Sequence, residues 1–136
     1  MAKSVENRTA VRPAVCDHAG MTTVLIVDDH PSFRANARAL LQAEGFEVVG
    51  EAEDAASALT AAAELRPDLV LLDVQLPDGD GFEIASRLSS NGHRPLVVLV
   101  SSRDRSDFGS LLDEAPVLGF IPKSELSGSR LAQLLE

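Results

Sequence analysis

The strongest constraint on the fold is a regular alternation of short apolar runs with amphipathic stretches from residue 22 onward. Each run is rich in valine, leucine and isoleucine, and apolar residues then recur with the period of a helix. Runs of this kind are typical of strands buried on both faces of a parallel sheet. The predicted strands are Thr23–Val27, Phe46–Ala52, Leu69–Leu72, Leu96–Val100 and Gly119–Ile121. The sequence therefore predicts an α/β fold with five strands and five helices in strict alternation.

Local signals indicate where the predicted helices begin and end. Pro31 suits the first turn of the first helix, and Gly45 follows its last apolar residue. Asp54 is a favourable N-cap for the second helix, and Pro67 ends that helix. The apolar stripe of the predicted fourth helix comprises Phe108, Leu111, Leu112 and Ala115.

Length, charge and cysteine content narrow the class of protein. The 136 residues suit one domain, predicted at 22–136, after a flexible tail at 1–21. With 21 acidic and 12 basic residues, the net charge of −9 disfavours direct binding to nucleic acid. The single cysteine excludes an intramolecular disulfide, and no apolar run approaches the roughly 18 residues of a membrane span. Because a signal-peptide core is also missing, we expect a cytoplasmic protein without a membrane partner.

Polar side chains follow four of the five predicted strands. Asp28 and Asp29 follow the first, Asp73 the third, Ser101 the fourth, and Lys123 comes shortly after the fifth. If the strand order is 2-1-3-4-5, the carboxyl ends of the first and third strands bring the three aspartates into one crevice. Their mutual repulsion requires a counter-charge, most simply Mg²⁺ with retained waters. A magnesium ion, an ammonium group and a hydroxyl together suit the oxygens of a phosphoryl group.

Four segments resemble the receiver domain of two-component response regulators, and the resemblance covers residues 22–135. The segment Val-Leu-Ile-Val-Asp-Asp-His-Pro at 24–31 resembles the acidic pair of that family, and Leu-Leu-Asp-Val-Gln-Leu-Pro-Asp-Gly-Asp-Gly at 71–81 its phosphoacceptor strand and turn. Val-Ser-Ser at 100–102 is similar to the hydroxyl switch, and Gly-Phe-Ile-Pro-Lys-Ser at 119–124 to the lysine segment. Asp-Asp-His-Pro and Ser124 are similar to the NarL/FixJ-like subfamily. The resemblance implies a doubly wound, flavodoxin-like (βα)5 sheet.

The resemblance also implies a role for each residue of the crevice. Asp73 would accept phosphate as an acyl phosphate. Asp29 and Asp73 would ligate Mg²⁺ directly, together with the main-chain carbonyl of Gln75, and Asp28 would act through a water. Lys123 would bind a phosphoryl oxygen.

A switch from the phosphate to the protein surface is implied as well. Ser101 would hydrogen-bond another phosphoryl oxygen, and Phe120 would change rotamer as Ser101 moves. Phosphorylation would then bias a two-state surface formed by the fourth helix, the fifth strand and the fifth helix (α4-β5-α5). The implied partners are a sensor histidine kinase or phosphotransfer protein and a second copy of the chain. Enzymatic activity would be limited to autophosphorylation and autodephosphorylation.

The residues of the crevice fit the sequence requirements of other classes of protein less well. A haloacid-dehalogenase-like phosphotransferase requires Asp-x-Asp after a strand, whereas Val74 and Gln75 follow Asp73. A flavodoxin-like cofactor binder requires a Ser/Thr/Gly-rich phosphate loop where this chain has Asp28 and Asp29. A degenerate receiver used only for docking would lack part of the site. Two interpretations of the output stay open: a stand-alone receiver, or the regulatory half of a DNA-binding transcriptional regulator.

Overall fold

A computed structural model describes residues 22–90 and 94–135, and five parallel strands form the centre of the fold. These are β1 (Thr23–Val27), β2 (Glu47–Ala52), β3 (Leu69–Asp73), β4 (Leu96–Ser101) and β5 (Gly119–Pro122). Their order across the sheet is β2-β1-β3-β4-β5, which confirms the predicted order. Every strand begins and ends within one residue of its prediction.

Helices connect successive strands and pack on both faces of the sheet. They are α1 (Pro31–Ala43), α2 (Ala55–Leu65), α3 (Gly81–Ser89), α4 (Ser110–Glu114) and α5 (Gly128–Leu135). Single 3₁₀ turns precede α4 and α5, and a two-stranded hairpin, Gln75–Leu76 with Gly79–Asp80, precedes α3. Among the described residues, no helix has both the length and the apolar character needed to cross a membrane. The predicted tail, at 1–21, lies outside the described residues.

Two apolar cores lie on opposite faces of the sheet because side chains alternate along each strand. In β3, Val70 and Leu72 pack in the core that includes Ile84 of α3. Leu69 and Leu71, on the other face, pack in the core that includes Leu131 of α5. All four of these β3 side chains are fully buried. Burial on both faces explains why the central strands lack polar positions until they reach the carboxyl edge.

Two carboxylates cap the start of α2. The predicted cap is confirmed, since Asp54 accepts a 2.8 Å hydrogen bond from the main-chain N–H of Ser57. The second is Asp78, in the turn before α3, which accepts hydrogen bonds of 2.6 Å and 3.1 Å from the N–H groups of Ala55 and Ala56. These bonds attach the segment after β3 to α2 and thereby fix the loop that carries Gln75.

The fourth helix is shorter than the apolar stripe predicts. Gly109 adopts a positive φ of 54° immediately before α4, so Phe108 lies in the preceding turn and not in the helix. At the other end Ala115 is extended, with ψ of 144°. It precedes Pro116, whose ring clashes with a helical conformation of the residue before it. Only five residues remain helical, and of the predicted stripe Leu112 is buried while Leu111 is exposed. The predicted helix is therefore wrong at both ends.

Candidate functional site

Two buried carboxylates lie side by side at the carboxyl edge of the sheet. Asp73 is the last residue of β3, and Asp28 directly follows β1. The parallel register places Val27 opposite Leu72, so the next residue of each strand reaches the same edge. Asp28 is fully buried and Asp73 is 4% exposed. The predicted convergence of these two aspartates thus follows directly from strand order and register.

Asp29 and His30 complete an acidic cluster with these two carboxylates. One ligand atom from each of Asp28, Asp29, His30 and Asp73 lies within 4.8 Å of the others. His30 Nδ1 is 2.9 Å from Asp28 Oδ1 and 3.1 Å from Asp29 Oδ1. The main-chain N–H of His30 also donates to Asp28 Oδ1, at 2.8 Å. His30 is not among the predicted site residues, although its position directly after two aspartates is a signal for it.

Lys123 supplies the positive charge at this edge. It follows the end of β5, and its Nζ lies 2.6 Å from Asp28 Oδ2 and 3.3 Å from Asp73 Oδ2. The lysine side chain is only 16% exposed, so these ionic contacts are largely shielded from water. The contact with Asp73 has hydrogen-bond geometry, whereas the shorter contact with Asp28 does not. Lys123 therefore contacts both buried carboxylates but makes an aligned hydrogen bond with only one.

The pKa of Asp73 is raised above its ordinary value, chiefly because its carboxyl group is buried. The neighbouring carboxylate of Asp28 also raises it. Two contacts act in the opposite direction: the main-chain N–H of Gln75, 3.2 Å from Asp73 Oδ1, and the ammonium group of Lys123. Since burial prevails, the ionised form of Asp73 destabilises the fold at neutral pH.

We expect Asp73→Asn to raise the free energy of unfolding at neutral pH. Asparagine keeps the shape of the side chain and removes the charge. Because the folded-state pKa of Asp73 lies above its unfolded value, the charge destabilises the native protein at high pH, and protonation relieves this as the pH falls. The difference in free energy of unfolding between the variant and the wild type should therefore shrink as the pH is lowered. It should vanish below the unfolded-state pKa of aspartate, about 4. Urea unfolding across this range measures it; a variant less stable than the wild type at neutral pH contradicts the prediction.

The donor set of the acidic cluster fits a hard divalent cation. Mg²⁺ takes oxygen ligands and keeps several waters, and the three carboxylates of Asp28, Asp29 and Asp73 supply such oxygens. Within the described part of the chain, buried Asp28 Oδ2 accepts no hydrogen bond, since its contact with Lys123 is ionic and poorly aligned. One ammonium group cannot neutralise three clustered carboxylates, so a divalent cation would offset the remaining negative charge. The chemistry of the residues therefore supports the predicted metal class.

Gln75, Ser101 and Phe120 are the other predicted site residues. Gln75 belongs to the hairpin after β3, and the structure shows a contact of its N–H with Asp73. Ser101 is the buried last residue of β4, and its Oγ accepts a 3.0 Å hydrogen bond from the N–H of Arg103. Phe120 is in β5, is 7% exposed, and packs edge-on against Phe108 with 5.6 Å between ring centroids. Gln75 thus contacts the cluster directly, whereas Ser101 ends β4 and Phe120 lies within β5. The predicted roles of all three residues stay predictions.

Arg34 fixes the position of the main chain at the end of β1. Its Nη1 donates to the main-chain oxygen of Asp28 at 2.6 Å, and its Nε donates to Glu51 at 3.0 Å. Glu51 also accepts from Arg38 at 2.7 Å, and this bond is the largest cause that lowers the pKa of Glu51. The sequence does not predict this group, because a contact with a main-chain atom leaves no pattern of residue types. A cavity of about 260 Å³ opens beside it, lined by Arg34, Glu51, Ala52, Glu53 and Ser57.

Comparison with known proteins identifies close similarities. The family model described as the response regulator receiver domain matches residues 24–136. A protein of Mycobacterium tuberculosis named transcriptional regulatory protein PdtaR is 34% identical over 127 residues, which cover 87% of this chain and 62% of that protein. The solved signal receiver domain of a protein described as response regulator NarL, also from M. tuberculosis, is 32% identical with a TM-score of 0.73, covering 85% of this chain and 97% of that one.

The match to a protein of Pseudomonas aeruginosa covers only part of that protein. This protein, described as a transcriptional regulator, is 39% identical over 105 residues, which are 77% of this chain and 51% of the relative. The chain thus spans about half the length of such curated relatives.

Proposed function

The chain belongs to the response regulator receiver domain family, and from this premise we propose that it is a signalling switch that accepts a phosphoryl group on Asp73. One observation carries the proposal: the ammonium group of Lys123 contacts two buried carboxylates, with its Nζ 3.3 Å from Asp73 Oδ2 and 2.6 Å from Asp28 Oδ2. A nucleophilic oxygen and a cation for phosphoryl oxygens are thereby held at the same edge.

The proposed reaction is the transfer of a phosphoryl group to a carboxylate. An oxygen of Asp73 attacks phosphorus while the bond from phosphorus to the donor breaks, and the donor keeps the electron pair of that bond. The product is an acyl phosphate. Lys123 binds a phosphoryl oxygen by charge and keeps the group oriented for in-line attack.

A magnesium ion, when bound, would offset the negative charge of the phosphoryl oxygens and the aspartates. Asp29, Asp73 and the main-chain carbonyl of Gln75 would hold it directly, and Asp28 would hold it through a water. Lys123 alone carries one positive charge against the charges of three carboxylates. The proposal therefore includes an obligatory divalent cofactor.

Ser101 and Phe120 are proposed to transmit the modification to the α4-β5-α5 surface. The Ser101 hydroxyl, whose oxygen accepts from the main-chain N–H of Arg103, would donate its proton to a phosphoryl oxygen. Phe120 packs against Phe108, which in turn packs against Phe82 with 5.8 Å between centroids. A rotamer change of Phe120 would thus displace Phe108 directly before α4. Because α4 has only five residues, few intrahelical hydrogen bonds oppose its movement.

The proposed partners follow from this chemistry. A sensor histidine kinase or a phosphotransfer protein would donate the phosphoryl group, and the α4-β5-α5 surface would contact a second copy of the chain. Leu111 of α4 is 54% exposed and offers apolar area on that surface. The activity is that of a signalling domain, with chemistry limited to autophosphorylation and autodephosphorylation.

A second candidate function concerns what the phosphorylated domain would control. Relatives of this chain are named as transcriptional regulators, and the chain spans between 49% and 62% of their length. These two observations favour a receiver that is the regulatory half of a DNA-binding transcriptional regulator. Determining whether the native reading frame continues beyond residue 136 with a DNA-binding domain tests it.

Incubation of the chain with acetyl phosphate and Mg²⁺ tests the proposed function. We expect intact mass spectrometry to show the addition of one phosphoryl group, because the Asp73 carboxylate is the acceptor and the cation offsets the charge. A chelator should remove the labelling, and added Mg²⁺ in excess should restore it. An unchanged mass, or equal labelling with and without the chelator, contradicts the proposal.

A further inference from the structure

The ring of Phe33 lies against the ammonium group of Lys123. Phe33 is in the first turn of α1, and Lys123 Nζ is 4.5 Å from the centroid of its ring. This distance is within the roughly 6 Å over which an aromatic face attracts a cation. Phe33 is half-buried and the lysine side chain is 16% exposed, so water competes poorly for this contact. The contact therefore joins α1 to the segment after β5 at the acidic cluster.

We propose that Phe33 is a positioning residue that holds Lys123 at the carboxyl edge through a cation–π contact. This inference rests on the proposed function, since it concerns the group that would bind a phosphoryl oxygen. Phe33 thereby joins the residues proposed to act at this site, although it lies outside the acidic cluster and carries no charge.

The need for an uncharged contact follows from what else faces Lys123. Its two ionic partners are the carboxylates of Asp28 and Asp73. Both change their charge environment during the proposed reaction, since Asp28 would share a divalent cation and Asp73 would become an acyl phosphate. The attraction of a ring face depends on neither event. Phe33 would therefore keep the ammonium group in place while its ionic contacts weaken.

Apolar packing alone is the alternative explanation for Phe33. Its side chain does pack against the core that contains Leu41 and Leu131. A leucine at this position would keep most of that packing but would lack the π-electron face. Fluorine atoms on the ring weaken its attraction for a cation and leave its size nearly unchanged. The two explanations therefore differ in their response to ring fluorination.

Nuclear magnetic resonance of the lysine side chains tests the contact without metal or phosphate. The chain contains only two lysines, Lys3 and Lys123, so selective lysine labelling gives two side-chain spin systems, and Lys3→Arg leaves one. We expect the ring to shift the ε-methylene resonances of Lys123 upfield, and Phe33→Leu to abolish the shift. Phe33→Tyr should retain it. Unchanged Lys123 resonances in Phe33→Leu would overturn the proposal.

Labelling kinetics with acetyl phosphate and Mg²⁺ test the consequence for Lys123. We expect Phe33→Leu to slow labelling roughly three- to tenfold. Site-specific replacement of Phe33 by phenylalanines with one, two and three ring fluorines should slow it stepwise. Urea unfolding accompanies each variant. Slow labelling in Phe33→Leu together with wild-type rates in the whole fluorinated series overturns the proposal, because packing alone then accounts for the effect.

Phe46→Leu is the matched control. Phe46 is a 7% exposed aromatic residue of the same core that has no ring contact with Lys123 in the described structure. We expect this change to lower stability and leave the Lys123 resonances and the labelling rate unaltered. If the wild-type chain shows the ring shift but takes up no phosphoryl group, the proposed function fails while the contact stands. If it is labelled but shows no ring shift, only the positioning role fails.

Discussion

Asp73→Asn is expected to abolish phosphoryl labelling by acetyl phosphate in the presence of Mg²⁺. The amide is a poor nucleophile and cannot form an acyl phosphate, so the loss should be complete within detection and not a partial slowing. We expect no other carboxylate of the cluster to replace it. Oδ1 of Asp28 accepts a 2.8 Å hydrogen bond from the main-chain N–H of His30, and Oδ2 of Asp28 lies 2.6 Å from Lys123 Nζ. Asp29 Oδ1 lies 3.1 Å from His30 Nδ1. Intact mass after incubation is the measurement.

Unfolding cannot explain this loss if the variant is at least as stable as the wild type, which the raised pKa of Asp73 predicts. Asp113→Asn is a suitable matched control, since the same chemical change falls on an exposed residue of α4. It should leave labelling unchanged. Labelling of Asp73→Asn at the wild-type level would place the acceptor elsewhere and remove the basis of the proposed function.

The sheet and the convergence of the aspartates could be predicted because both follow from local patterns. The central strands are buried on both faces, so their apolar runs have few alternatives to a parallel sheet. Once the strand order is set, parallel register alone brings the residues after β1 and β3 to one edge. Asp28 and Asp73 are adjacent for that reason. Lys123 could be assigned to the same edge because it follows β5.

Contacts between residues far apart in sequence could not be predicted in the same way. The 4.5 Å contact between Phe33 and Lys123 depends on how α1 lies relative to the end of β5, which no periodicity encodes. The contact of Arg34 with Asp28 could not be predicted for another reason: these residues are only six positions apart, but Arg34 binds a main-chain oxygen, so the identity of its partner residue carries no signal. The ends of α4 could have been predicted, because Gly109 and Pro116 limit the helix at its two ends although the apolar stripe extends beyond them.

Gly81→Val is expected to cause the largest loss of stability among these variants, about 3 kcal/mol or more. A Cβ atom at Gly81 would lie 2.7 Å from the main-chain oxygen of Asp73, 2.9 Å from Cα of Val74 and 3.2 Å from a methyl group of Leu99. The first two are backbone atoms that cannot rotate away. The N–H of Gly81 also donates to the main-chain oxygen of Val74 at 2.6 Å, which fixes the distance further. Urea unfolding measures the loss.

Gly79→Ala is the matched control for this prediction. A Cβ atom there would lie 3.6 Å from Cβ of Ala55, an ordinary van der Waals contact, so we expect a change within about 0.5 kcal/mol. Equal stability of Gly79→Ala and Gly81→Val would contradict the prediction.

Gly81→Ala should lower the free energy of unfolding by only about 1–3 kcal/mol and leave enough folded protein for labelling kinetics. Its labelling should be slower, because the backbone that must move carries Asp73. Gly81 does not have a positive φ, so the lack of space beside β3, and not the backbone conformation, requires glycine at the start of α3.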